Sequence, residues 1–227
     1  MTACAECPAR QGTVCGALAG ADLDRFRALA RDARWPAGQW LVAPGARADT
    51  VLMLRTGQAH VARITADGRR QILAFLFPGD FFGFTYEDHY VYGAFAATDV
   101  LACQLPRDRF EAFVAATPAL DRQLRLKLMR LLDSAQELIF TLGRKTALAR
   151  VASFLWYLDY RQRKLGLRGP LTPIPMPRAD IADFLGLTSE SVSRSLSRLR
   201  RDGLVRLPDP GHVEILDMPR LRDLGVV

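Results

Sequence analysis

Residues 1–16 carry three of the four cysteines, Cys4, Cys7 and Cys15, in a Cys-x2-Cys-x7-Cys arrangement; Cys103 lies far downstream. Thiolates gathered by a short Cys-x2-Cys loop suit either zinc or an iron–sulfur cluster, and the spacing alone does not choose between them. No signal peptide opens the chain, and the protein is expected to be cytoplasmic, where cysteines serve metal or redox chemistry more often than a disulfide framework. The bland alternative is a set of unligated thiols, with Cys103 an ordinary buried strand residue.

A second group of residues could read nucleic acid. Ser189, Glu190, Ser193, Arg194, Ser197 and Arg198 recur at spacings of three and four, so a helix would carry them on one outward stripe. A Glu can accept from cytosine N4, and an Arg can grip guanine O6 and N7 in a major groove. Arg198 and Arg200 are placed to touch phosphate. The alternative is a solvated charged face on a structural helix.

The elements that must position this stripe are legible around it. Ile181, Phe184 and Leu185 predict a short helix, and Val192, Leu196 and Leu199 the inner face of a second one. Gly186 between them can take the positive φ that reverses the chain, and Ala182 is small where the helices must cross. Thr188 or Ser189 can cap the second helix. This is the pattern of a DNA-binding helix-turn-helix. Leu204–Leu207 and His212–Leu216, separated by Pro208-Asp209-Pro210-Gly211, predict a hairpin wing.

The charge distribution agrees with that placement. Of the net +7, residues 1–143 hold 16 Lys and Arg against 15 Asp and Glu (+1), and residues 144–227 hold 15 against 9 (+6). A basic excess beside the helix-turn-helix is what phosphate binding requires. No run of about 18 apolar residues is present to span a membrane. No nucleophile–base pair or Gly-rich phosphate loop points to an enzyme.

The order of parts predicts an α+β chain in four regions. Residues 1–20 form a cysteine-bearing arm with little core of its own, expected to need tying down. Residues 21–116 begin with a helix over 21–34 and continue as an antiparallel jelly-roll β-barrel. Its strands are read at Val51–Leu54, His60–Ile64, Gln71–Phe77 and Val100–Leu105. Residues 117–143 form a long dimerisation helix in which Leu128, Leu132, Ala135, Ile139 and Leu142 recur as a coiled-coil seam. Leu124, Leu131 and Leu138 widen that seam where the helix rests on the barrel. Such a helix is either buried within one chain or paired with a second copy, and the two-fold reading of a palindrome favours a homodimer. Residues 144–227 form the C-terminal winged helix-turn-helix domain, with a hinge at Arg144–Thr146 and a loop or short hairpin over 164–177.

Barrel, long helix and winged helix, in that order and over essentially the whole chain, resemble the CRP/FNR superfamily of bacterial transcription regulators. Gly186-Leu187-Thr188-Ser189-Glu190-Ser191-Val192-Ser193-Arg194 is similar to the recognition helix of the FNR branch, whose half-site readers fall on Glu190, Ser193 and Arg194. The resemblance implies a palindromic double-stranded DNA site near TTGAT-N4-ATCAA and RNA polymerase as a partner. It also implies an oxygen-labile [4Fe–4S] cluster on Cys4, Cys7, Cys15 and Cys103, with the FnrL-like cysteine spacing. A FixK-like regulator holding structural zinc or redox-active thiols is the alternative. The cyclic-nucleotide branch needs a Gly-Glu phosphate cassette with an Arg; Gly79–Asp88 is acidic and aromatic instead, so no cyclic nucleotide is expected.

Overall fold

The computed structural model describes residues 4–164 and 169–226. Its packing divides between Leu132 and Asp133, inside the long helix rather than at the 143/144 boundary read from sequence. In the first unit, 3-10 turns at Cys4–Glu6, Arg10–Gly12 and Val14–Ala17 lead into helix α1, Gly20–Leu29. The strands are β1 Arg31–Trp35, β2 Trp40–Val42, β3 Thr50–Thr56, β4 Ala59–Ile64, β5 Arg70–Leu76, β6 Phe81–Phe82, β7 Gly93–Ala96 and β8 Val100–Pro106. They form two four-stranded antiparallel sheets, ordered β1-β8-β3-β6 and β2-β7-β4-β5. Helices α2, Arg107–Ala115, and α3, Pro118–Arg144, follow.

Strand β3 reads as an unbroken apolar run because both of its faces are covered. Leu52 and Leu54 pack between the sheets with Leu41, Ala59, Leu76 and Val100. Val51 and Met53 face the other way, onto Val14, Leu18, Phe26, Phe110, Leu120 and Leu124. The outer face of the β1-β8-β3-β6 sheet is thus roofed by the arm, α1, α2 and the start of α3. Each fully buried side chain there contributes about 1.5–3 kcal/mol.

Three expectations for this unit are corrected. The helix expected over 21–34 ends at Leu29: Ala30 turns extended, and Arg31–Trp35 becomes strand β1 paired with β8. Segment 107–115 is a helix rather than barrel. The arm is also not without a core. Val14 and Leu18 are 1% and 3% exposed in the cluster under the roof. Arg10 donates to the Leu18 carbonyl at 2.6 Å, and Lys127 on α3 donates to the Gly12 carbonyl and, at 3.2 Å, to that of Gly79.

In the second unit, α4, Ala147–Lys164, precedes β9, Leu171–Pro173, α5, Arg178–Leu185, and α6, Ser189–Arg201. Then come β10, Val205–Asp209, β11, His212–Ile215, and α7, Met218–Val226. The wing has a third strand that the hairpin reading lacked: β9 pairs with β11, giving the order β10-β11-β9. Residues 165–168 of the expected loop lie outside the described residues. The hinge was expected at Arg144–Thr146. Lys145 is buried, its Nζ bonded to Glu137 Oε1 at 2.9 Å and Ser153 Oγ at 3.0 Å. Among the described residues, no helix is long and apolar enough to cross a membrane.

On α3, Leu120 and Leu124 are buried and Leu128 is half-buried against the same core, so Leu128 faces its own barrel at least in part. Leu142, at the other end of the expected seam, is half-buried as well. Between them Leu132 and Ile139 are 58% and 72% exposed, and Ala135 is exposed. Leu131, expected to rest on the barrel, is instead 54% exposed, joined in solvent by Leu126, Met129 and Phe140.

Candidate nucleic-acid interface and thiol cavity

Helix α6 is set by its two ends. Gly186 closes α5 in the left-handed conformation, φ 61° and ψ 43°, where an L side chain is strained. Thr188 is extended, and its Oγ1 accepts from the Ser191 N–H at 3.1 Å, so Thr188 rather than Ser189 is the cap. Val192, Leu196 and Leu199 are buried, joined by Ser195. Arg150 on α4 ties the frame together: it donates to the carbonyls of Leu142 and Leu185, each at 2.8 Å, and of Lys145 at 3.0 Å. These are helix-terminal carbonyls that would otherwise lack partners.

The outward stripe stands as the spacing predicted, with Ser189, Glu190, Ser193, Arg194, Ser197, Arg198 and Arg200 all exposed. Glu190 Oε1 accepts from Arg194 Nη1 at 2.9 Å, both side chains being about 70% exposed (74% and 69%). Arg194 Nη2 also donates to Ser191 Oγ at 3.3 Å, and Ser193 Oγ donates to the Ser189 carbonyl at 2.9 Å. Arg198 lies 3.7 Å from Asp202. An acceptor and a forked donor are therefore held side by side on the exposed face of α6.

In the first unit the four cysteines line one cavity. Register places Cys103 on β8 opposite both Met53 on β3 and Asp32 on β1. Met53 and Arg55 alternate onto the same face, so Asp32, Cys103, Met53 and Arg55 floor one cavity. The arm roofs it with Cys4, Cys7, Thr13 and Cys15, and Phe26, Arg27 and Ala30 close the side. Among the described residues no three or more His, Cys, Asp or Glu side chains are drawn onto a single point; the thiols line walls instead.

Burial dominates the chemistry of Cys4, Cys15 and Cys103. It pushes the Cys103 thiol up to about 12, against the pull of Arg55 and with the other cysteines adding to the rise. Cys4 is raised by burial, opposed by Arg27, and Cys15 is raised by burial, opposed by its contact with the Thr13 hydroxyl at 2.7 Å. Thiols that resist ionisation alone in the cavity become strong ligands once a cation shares it. Sequence reasoning missed Arg27, Asp32 and Arg55. The readable signal was an Arg closing the apolar run Val51-Leu52-Met53-Leu54-Arg55.

Comparison with known proteins settles the family. The Crp-like helix-turn-helix domain matches residues 149–224, and the cyclic nucleotide-binding domain matches residues 33–117. The transcriptional activator protein FnrL of Cereibacter sphaeroides is 36% identical over 222 residues, covering 96% of this chain and 90% of that protein. The chain belongs to the CRP/FNR family of transcription regulators. Within that family it is also 34% identical over 224 residues to the nitrogen fixation regulation protein FixK of Bradyrhizobium diazoefficiens, covering 98% and 93% of the two chains. The solved structure of FixK2 from Bradyrhizobium japonicum superposes with a TM-score of 0.79 at 31% identity, covering 86% of this chain and 96% of that one. The antiparallel barrel, long helix and C-terminal helix-turn-helix are the arrangement of that family.

Proposed function

We propose that this regulator is an oxygen-responsive, anaerobic transcription activator. In this reading it binds a palindromic site near TTGAT-N4-ATCAA as a homodimer and acts on RNA polymerase. Cys4, Cys7, Cys15 and Cys103 would hold a [4Fe–4S] cluster. The observation that carries the sensor half is the convergence of three arm cysteines and one barrel cysteine on a single cavity. The donor set suits the group: four cysteine thiols on one cavity, with Cys4, Cys15 and Cys103 raised by burial, Cys4 and Cys103 against a neighbouring arginine. When bound, the cluster supplies oxygen-labile iron–thiolate links between the arm and β8.

The chain's own residues do the rest. Val14 and Leu18 seat the arm, and Lys127 joins the arm's Gly12 to α3, so a change at Cys4–Cys15 is felt at the helix that carries the exposed apolar residues. Leu132 and Ile139 would pack across the two-fold axis and set the spacing of the two recognition helices. Glu190, Ser193 and Arg194 would read base edges, while Arg198 and Arg200 would hold phosphates.

A cyclic nucleotide has no place in this reading. Asp80 Oδ2 accepts from the Phe77 N–H at 2.9 Å, so the Gly79–Asp88 segment opens on an anchored carboxylate, which would repel a phosphate. The arginine against this segment, Arg107, already donates to the carbonyls of Ala48 and Glu87 at 3.2 Å and of Thr85 at 2.6 Å. The test is iron and sulfide analysis of anaerobically purified protein, together with its affinity for the palindrome before and after exposure to air.

A further inference from the structure

Arg55 sits where a cation is costly. The residue is 6% exposed on β3, and its neighbours Leu54 and Met53 are fully buried. Nη1 is anchored to Asp32 Oδ1 at 2.8 Å, yet the buried Nε has no hydrogen-bond partner among the described residues. A buried, unpaired donor costs stability that a purely structural ion pair would not need to bear. Asp32 is only partly shielded, with 35% of its side chain exposed, so it neutralises Arg55 incompletely. Both residues line the four-thiol cavity, and register sets Asp32 directly opposite Cys103. An arginine keeps its charge at neutral pH, and Asp32 is the carboxylate paired with it.

We propose that Arg55, oriented by Asp32, is the built-in counter-charge of this cavity: a positioning residue whose fixed cation and spare Nε–H stabilise an anionic, thiolate-bound cluster. The inference rests on the cluster reading above and names what tunes it. Four thiolates around an iron–sulfur core leave a net negative charge, and reduction adds one more. A buried cation and a donor toward sulfur both favour the more negative state and raise the reduction potential. Asp32 has two opposed effects, since it holds Arg55 in place and carries a negative charge of its own.

The charges predict opposite signs for two variants, which a role in packing alone would not. Wild type, Arg55→Gln, Arg55→Lys and Asp32→Asn are reconstituted anaerobically with iron and sulfide. The midpoint potential of each is measured by dye-mediated titration followed by electron paramagnetic resonance. Arg55→Gln moves the potential negative, changing the reduced-to-oxidised ratio at fixed poise about tenfold, or about 59 mV for a one-electron couple. Arg55→Lys stays near wild type, and Asp32→Asn moves it positive. Water filling the space left by a shortened Arg55 would itself favour the more charged reduced state, so the predicted negative shift cannot come from solvent entry.

Wild type that takes up no iron–sulfur cluster would overturn the cluster reading, and this inference with it. Wild type that loads normally while Arg55→Gln keeps its potential, or moves positive, would overturn the Arg55 role alone. If Arg55→Gln does not fold, the similarly sized neutral variant Arg55→Met decides: a negative shift supports the role, and no shift or a positive one refutes it.

Discussion

Replacing Arg194 by Ala separates reading of DNA from stability of the fold. Its pair with Glu190 is an exposed i,i+4 contact on α6 at 2.9 Å, worth only about 0.3–0.5 kcal/mol to the helix. The inner face of α6, on Val192, Leu196 and Leu199, is untouched by the change. A bidentate contact to a base pair is worth about 1–3 kcal/mol per half-site, hence about 2–6 kcal/mol over two half-sites of a palindrome. That is a loss of specific affinity between about 30-fold and 20,000-fold, with the melting temperature nearly unchanged. Fluorescence anisotropy on the palindrome and on duplexes altered at each position would measure it. The loss should be concentrated at one base pair, whereas Arg198→Ala or Arg200→Ala should weaken all duplexes alike and flatten the salt dependence. An Arg194→Ala protein that keeps the wild-type base preference would refute the reader assignment.

Three further outcomes follow from the packing. Leu132, 58% exposed, would gain about 0.9–1.7 kcal/mol per chain if a two-fold partner covered that surface, so Leu132→Asp should yield a folded monomer in sedimentation that loses the palindrome. Gly186→Ala meets only Arg150 Nη1 at 3.4 Å and Leu142 Cδ2 at 3.5 Å, so its cost is the left-handed backbone, about 1–2 kcal/mol, visible in thermal unfolding of the second unit. Leu18→Ala should destabilise the first unit by about 2–5 kcal/mol in denaturant titration and expose the arm to protease even with metal absent, because Leu18 anchors the arm through the core.

The helix-turn-helix was legible because its signals are local: a reversing Gly186, a capping Thr188 and an apolar inner face each act within one or two turns. The barrel was legible where strands are apolar, as in β3 and β8, and obscure at its edges. Strand β1, Arg31-Asp32-Ala33-Arg34-Trp35, is an edge strand, and charged residues on an edge blunt its pairing and hide its alternation. Strand β6 is only two residues long and is defined by its partner β3 rather than by its own pattern. The arm cysteines stood out by their spacing, but Asp32, Arg55 and Arg27 did not, since strand pairing brings the first two beside Cys103 and the packing of α1 brings the third. The arm was misjudged for a related reason: Val14 and Leu18 find their core only once the barrel and α2 exist.

The most direct test of the account is to purify the protein without oxygen, count iron and sulfide per chain, and follow mass and palindrome affinity as air is admitted. The account predicts about four irons and four sulfides per chain, a dimer with specific binding, and loss of cluster, dimer and specific binding together in air. Zinc in place of iron, or DNA affinity indifferent to air, would contradict the oxygen-sensing claim.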